Sequence, residues 1–489
     1  MVRSLKNTFA PINKIPSEVF SLIPDYHSKD DTDDSLITLT HVCRGWRNIF
    51  ISRPSLWTRF DFRNVDKTRT YVQRSKSFPL NIYLEDNDDD ATFRDAFSLV
   101  VPHLHRLKSL TILANNLSDT LQNFYSPAPL LKELVIDIGS NDRIPGGALF
   151  NGDLSSLRKL RLCGITTNLP WRNLANLQIF EIRPGHHHKI TQLLDFFEAA
   201  PILHTIELSF SIPTSSDAPP GRIVPLPRLN SLRIIAGAPH SILLNHLHVP
   251  TGSSLFQRFQ FGGEKSPLLD YLLKSSTNLR NLSHITTANL RFDSITKYIR
   301  LRGPNGSLYM LADRTGNETL PSTMDHRILR SLHPLILPTT EILSVSKYSH
   351  SSLAEIPKCP IFQTLSSMDN LRTLTLIKCN NLPFVLSLNP ERNPSGLLSC
   401  PNLEEITLYI KSRDQYHTKH LISMAKNRAS RNKKLLSITI VGLGKLAPGK
   451  EVLKLREHVT HVEYRVENVS PAWDDPPERA VAKTSKGGK

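Results

Sequence analysis

The 489-residue chain has no apolar run of the ~18–20 residues needed to cross a bilayer. Its first residues, Met1 to Asn13, hold no apolar stretch of signal-peptide length. Both absences point to a cytoplasmic or nuclear protein with no membrane partner. Cysteine is scarce, with Cys43, Cys163, Cys359, Cys379 and Cys400 as the five. They are odd in number, far apart and never in a Cys-x-x-Cys pair, which argues against a disulfide framework and a zinc site. Most lie in apolar runs, where a reduced thiol packs as a small hydrophobe. The signatures of catalysis are missing too: no Gly-x-Gly-x-x-Gly, Walker loop, His-Glu-x-x-His or Gly-x-Ser-x-Gly occurs. His186-His187-His188 reads as a polar loop, because neighbours in a strand point to opposite faces. Asp86, Asp88, Asp89 and Asp90 lack the spacing and glycine of a calcium loop. The expectation is a protein that is not an enzyme and uses no cofactor or metal.

What is plentiful is positive charge and proline. Sixty basic residues against 44 acidic ones leave a net charge of +16. The charge is dispersed, and the one dense cluster, Lys426, Arg428, Arg431, Lys433 and Lys434, reads as a solvated basic face. The acidic runs at Asp30–Asp34 and Asp86–Asp90 argue against uniform polyanion binding, and so against nucleic acid. Of the 34 prolines, Pro129, Pro201, Pro227 and Pro401 each stand two residues before a leucine motif. There they end a helix and enforce an extended lead-in.

That motif is Leu-x-x-Leu-x-Leu. It starts at Leu107, Leu131, Leu157, Leu177 (with Phe180 in the middle), Leu203 and Leu229, with further copies at Phe256, Leu371, Leu403 and Leu435. Most spacings fall in the ~20–29-residue window of leucine-rich repeats. Ahead of it, the alternation at Phe60 and Phe62, a helical stretch from Thr68 to Ser77, and the alternation at Leu80, Ile82 and Leu84 predict a β-α-β unit. Regularity fails from about 291 to 340, where Gly303-Pro304-Asn305-Gly306 signals a turn and Leu308 with Leu311 suggests a decayed copy. The predicted class is α/β: an irregular leucine-rich-repeat-type solenoid with a parallel concave sheet over 59–464. A C-terminal cap and disordered basic tail follow over 465–489. Alternation sends the residues between the leucines to the concave face. Lys159, Arg161, Glu181, Arg183, Arg233, Glu405 and Tyr409 are the candidate substrate-binding residues there.

After a flexible stretch, 1–11, residues 12–58 read differently. Ile15, Val19, Leu22 and Ile23 form one helical stripe, with Pro16 in the first turn and Pro24 as the stop. After the acidic insert Asp25–Asp34, a second helical pattern runs through Leu36, Leu39, Val42, Cys43, Trp46, Ile49 and Phe50, with Gly45 as a possible break. Two tryptophans, Trp46 and Trp57, and many aliphatics exceed what about fifty residues can hide, which predicts docking on another protein.

The residues Ile15-Pro16-Ser17-Glu18-Val19, Leu39-Thr40-His41-Val42-Cys43-Arg44-Gly45-Trp46-Arg47 and Pro54-Ser55-Leu56-Trp57 resemble the F-box-like proteins common in basidiomycete fungi. The match covers about a tenth of the chain, and the insert Asp25–Asp34 is longer than the family's usual link. The resemblance implies a three-helix F-box-like domain and a substrate-recognition adaptor of an SCF-type cullin-RING ubiquitin ligase. Ile15, Pro16, Val19, Phe20, Leu39, Val42, Cys43, Trp46, Leu56 and Trp57 would dock on the ligase's adaptor subunit, and the repeats would bind an unknown protein substrate. The alternative is a non-catalytic scaffolding repeat protein without a ligase role.

Overall fold

The computed structural model describes residues 34–61, 64–85, 90–114, 126–143, 149–152, 154–166, 174–183, 189–209, 217–236, 241–261, 278–294, 296–314, 339–348, 360–391, 398–411, 417–443 and 450–468. Isolated positions 15, 16, 19, 124, 328 and 329 are also described. Expectations for Phe20, the insert Asp25–Asp33, Asp86–Asp89, His186–His188, Cys359 and the tail from 469 onward lie outside them. The chain divides into two compact units, Met1–His187 with Asp195–Leu203, and His188–Leu194 with His204–Lys489. Its fold is mixed α/β and dominated by parallel strands, with nine α-helices among the described residues. No described helix is long and apolar enough to cross a membrane.

The first unit opens with α1 (Asp34–Val42) and α2 (Arg44–Ile51). The break between them falls at Cys43, whose backbone is extended (φ −158°, ψ 171°), two residues before Gly45. A 3-10 turn over Pro54–Trp57 follows. The expected β-α-β unit is present as β1 (Arg59–Asp61), α3 (Val65–Arg74) and β2 (Leu80–Glu85), with β1 and β2 parallel. Its helix begins three residues earlier than predicted because Asn64 caps it: Oδ1 accepts from the amides of Asp66 (2.9 Å) and Lys67 (3.0 Å). The other end is held from a distance. The buried Arg106 guanidinium donates to the carbonyls of Val72 (3.1 Å), Lys76 and Phe78 (3.3 Å) and to Ser75 Oγ (3.1 Å). A cation there satisfies the unpaired carbonyls and favours the negative end of the helix.

After α4 (Asp90–Ser98) come β3 (Leu107–Ala114), β4 (Glu133–Arg143), β5 (Lys159–Thr166) and β6 (Ile179–Ile182). The six strands of this unit pair in chain order, all parallel. Their shared register lines up Phe60, Ile82, Leu110, Leu134, Leu160 and Phe180, every one at most 2% exposed. No single strand can bury such a face, so each supplies the core of the next. Helix α5 (Ile190–Ala199) contributes residues to both units.

The second unit holds β7 (Thr205–Ser209), β8 (Val224–Pro225), β9 (Ser231–Ala236), α6 (Ser241–Leu244), β10 (Leu247–His248) and β11 (Ser254–Phe261). Then come β12 (Thr287–Phe292), β13 (Thr296–Gly303), β14 (Gly306–Arg314), β15 (Ile342–Ser346), α7 (Pro360–Ser366), β16 (Thr373–Ile377) and α8 (Leu382–Ser387). Last are β17 (Glu405–Ile410), α9 (Thr418–Ala429), β18 (Ser437–Leu443) and β19 (His461–Glu467). Short β8 and β10 pair with each other. The main order is β7-β9-β11-β14-β13-β12-β15-β16-β17-β18-β19.

The break in the sequence repeat has a topological cause. Strands β12, β13 and β14 form an antiparallel meander laid between β11 and β15, with β13 antiparallel to both neighbours and every other contact in the row parallel. A hairpin needs only a two-residue loop, so extra strands enter without crossover helices. The loop is Pro304-Asn305, between the paired Gly303 and Gly306.

Two register expectations are corrected here. The copy expected at Phe256 starts four residues earlier, at Gly252, because Leu255 stands opposite Leu232 and Gln257 opposite Ile234. Gln257, polar and only 5% exposed, hid the pattern. The decayed copy is not Leu308 with Leu311 but Leu308 with Met310, aligned with Leu255 and Gln257. Parallel strands β12 and β19 were missed, as was β15, whose Leu343 and Val345 pair with Leu374 and Leu376. The first position of the β15 copy is Thr340, fully buried and donating Oγ1 to the Ile285 carbonyl at 3.3 Å.

Candidate interaction surfaces

The N-terminal helices divide the predicted docking residues into two groups. Trp57 is fully buried, so it is a core residue and is not presented to a partner. Its Nε1 donates to the Phe50 carbonyl at 2.9 Å, Tyr71 of α3 meets its ring edge-on at 4.9 Å, and the Arg74 guanidinium lies 4.3 Å over it. Trp46 is also buried, 6.1 Å from Phe50 in a T-shaped contact. Trp57 is therefore covered by α3, which lies beyond residue 58, whereas Trp46 packs on Phe50 within its own helix. What stays uncovered is aliphatic: Val42 is 54% exposed and Val19 48%, while Leu39, Cys43 and Leu56 are half-buried. Leu39, Val42 and Cys43 follow at i, i+3 and i+4, on one stripe of α1 and its end. Ile15 is half-buried and Pro16 exposed.

The predicted substrate-binding residues are divided between the two units. Lys159, Arg161, Glu181 and Arg183 belong to the first unit, and Arg233, Glu405 and Tyr409 to the second. Within the second unit, Arg233 on β9 and Glu405 on β17 stand seven strand steps apart, about 30 Å at ~4.8 Å per step. Several already have partners on the sheet. Arg161 reaches Asp137 at 3.4 Å and Glu181 at 3.6 Å. Arg233 reaches Glu207 at 3.8 Å and covers the Phe256 ring at 4.5 Å. Burial, then the Glu467 carboxylate, pushes the Tyr409 hydroxyl pKa up.

The first unit has an open concavity of about 570 Å³ at the strand entries, walled by Arg59, Lys108, Lys132, Arg158, Lys159 and the single carboxylate Glu133. Lys159 was expected on this face, whereas Lys108, Lys132 and Arg158 were missed. They sit one residue after the first leucine of three successive copies, a recurrence visible in the sequence. Lys132 and Arg158 escape the rule of alternation because they precede their strands, and Lys108 is the second residue of β3.

The described cysteines are free: Cys379 and Cys400 are buried, Cys43 and Cys163 half-buried. Burial pushes the thiol pKa to about 12 at Cys379 and Cys400 and to about 11 at Cys163. These three thiols stay protonated at neutral pH and make poor nucleophiles or ligands. Among the described residues, no group of three His, Cys, Asp or Glu side chains is placed to hold a metal ion.

No family model matches this chain, and no curated protein matches it.

Proposed function

We propose that residues 12–58 form an F-box-like domain, and that 59–464 form an irregular leucine-rich-repeat-type solenoid. The protein then serves as a substrate-recognition adaptor of an SCF-type ubiquitin ligase. The observation that carries this reading is the uncovered aliphatic stripe on α1, with Val42 54% exposed beside half-buried Leu39 and Cys43. Exposed aliphatics on a small helical unit favour burial by another protein. Stacked parallel strands with buried leucine rows support the repeat reading.

In this role the chain breaks no bond. It raises the local concentration of a bound target beside the ubiquitin-charged enzyme. Docking of this kind rests on a few anchors, each worth roughly 2–4 kcal/mol on truncation. Val42→Asp places a charge on the uncovered stripe without touching the core. Co-purification of the full chain with the cullin adaptor subunit is expected to fall at least about tenfold for Val42→Asp, while the variant keeps its helical circular dichroism. Equal recovery by variant and wild type sinks the reading. A scaffold without ligase function would instead keep its partners and leave them unmodified in a reconstituted ubiquitination assay.

A further inference from the structure

Lys108, Lys132 and Arg158 share one register position at the entries of β3, β4 and β5. Their backbones are joined by two successive rungs: Lys132 N donates to the Lys108 carbonyl, and Arg158 N to that of Lys132, each at 2.8 Å. Neighbouring strands lie ~4.8 Å apart, so the three cations form a row about 10 Å long. Lys159 and Arg59 wall the same concavity, with Glu133 opposing them. Among the described residues, Lys108, Lys132, Arg158 and Lys159 enter no ion pair. Deeper on the same sheet the opposite holds, since Arg161 is neutralised by Asp137 and Glu181. The uncompensated charge is thus local, and it faces an open space rather than the core.

We propose that this concavity binds an acidic peptide segment of a partner protein, with carboxylates or phosphate monoesters facing Lys108, Lys132 and Arg158. The row ends at Gln178, the next residue in the same register on the β6 side, whose amide donates to the Arg158 carbonyl at 2.8 Å. Glu133 lines the concavity with the cations, and Asp137 and Glu181 lie further along the same sheet. A nucleic-acid backbone needs a longer positive track and would meet these carboxylates. A volume of about 570 Å³ falls within the ~300–1,000 Å³ that encloses a short ligand segment. The inference rests on reading this sheet face as the target-recognition surface, and is independent of docking through α1.

The test uses the full chain and fluorescence anisotropy with four labelled probes: a decapeptide alternating Asp and Ser, its phosphoserine form, its Asn-for-Asp form, and a ten-nucleotide oligothymidylate. One variant combines Lys108→Gln, Lys132→Gln and Arg158→Gln; a second carries Lys132→Glu alone and serves if the triple variant loses its circular dichroism. The Asp or phosphoserine peptide is expected to bind wild type and the Asn peptide not to. Affinity should fall as salt rises and drop about tenfold or more in the variant. The stronger of the two anionic peptides identifies the anion. Unchanged affinity in the folded variant, no binding of either anionic peptide, or equally tight oligothymidylate binding overturns the proposal. Adaptor-subunit recovery, measured on the same variants, reports separately on the α1 surface.

Discussion

At the scale of single residues, the structure reassigns side chains whose sequence neighbourhoods mislead. Arg428 sits in the basic cluster expected to be solvated, yet it is fully buried. Its two terminal nitrogens donate to the Ser399 and Cys400 carbonyls at 2.9 Å each, and burial lowers its pKa below the ordinary arginine value. Arg428→Met removes both charge-assisted bonds from a closed site, so a loss of about 2–3 kcal/mol is expected from urea unfolding. Lys433→Met, on the exposed part of the cluster, should stay within about 0.5 kcal/mol. The buried thiols carry a second prediction. Cys379 and Cys400 should resist iodoacetamide at pH 8 in the native protein and react once denaturant opens it, as peptide mass spectrometry would show. Their folded pKa values, about 12, lie above the ordinary 9.0. Between those values the unfolded chain releases protons that the folded one keeps, so their contribution to stability is intact below 9.0 and is lost as pH rises towards 12.

At the scale of elements, the leucine rows locate most of the parallel strands, because most strands bury the same two positions. At two of the failures a polar residue occupies a core position. Thr340 donates to the Ile285 carbonyl, and Gln257 breaks the pattern of β11 from a 5% exposed site. The meander was signalled by its turn but could not be ordered from sequence, since hairpin and crossover connections carry similar strand patterns. That turn is tightly constrained. A Cβ on Gly303 would lie 2.1 Å from the His284 carbonyl oxygen, and one on Gly306, at φ +139°, 2.4 Å from that of Ser253. Gly303→Ala therefore forces backbone apart and should cost about 3 kcal/mol or more. Gly221→Ala, at φ +80° with nothing within 4 Å of the new Cβ, should cost only about 1 kcal/mol. Paired urea titrations separate steric collision from conformational strain.

At the scale of the whole molecule, the parallel rows spread stability unevenly. Strands flanked on both sides, such as β16 and β17, are closed by hydrogen bonds along each edge. Strand β19 pairs with β18, and its residues are half-buried or exposed throughout. Hydrogen exchange is expected to be fastest in β19 among the strands of the second unit and slowest in β16 to β18. Equal protection of β19 and β17 would show that a further element covers the last edge.

The sequence by itself determined the α/β class, the first β-α-β unit and the buried rows at Phe60, Leu110, Leu134, Leu160, Phe180, Leu374, Ile406 and Ile438, because periodic burial leaves a periodic trace. It also marked the N-terminal helices, whose apolar steps follow the helical repeat. Only the tertiary structure decided which of their side chains are covered. Trp57 is covered by Tyr71 and Arg74 of α3 while Val42 remains open, since coverage depends on what packs from elsewhere in the chain. The cation row at Lys108, Lys132 and Arg158 likewise becomes a surface only when pairing sets three distant residues in one register.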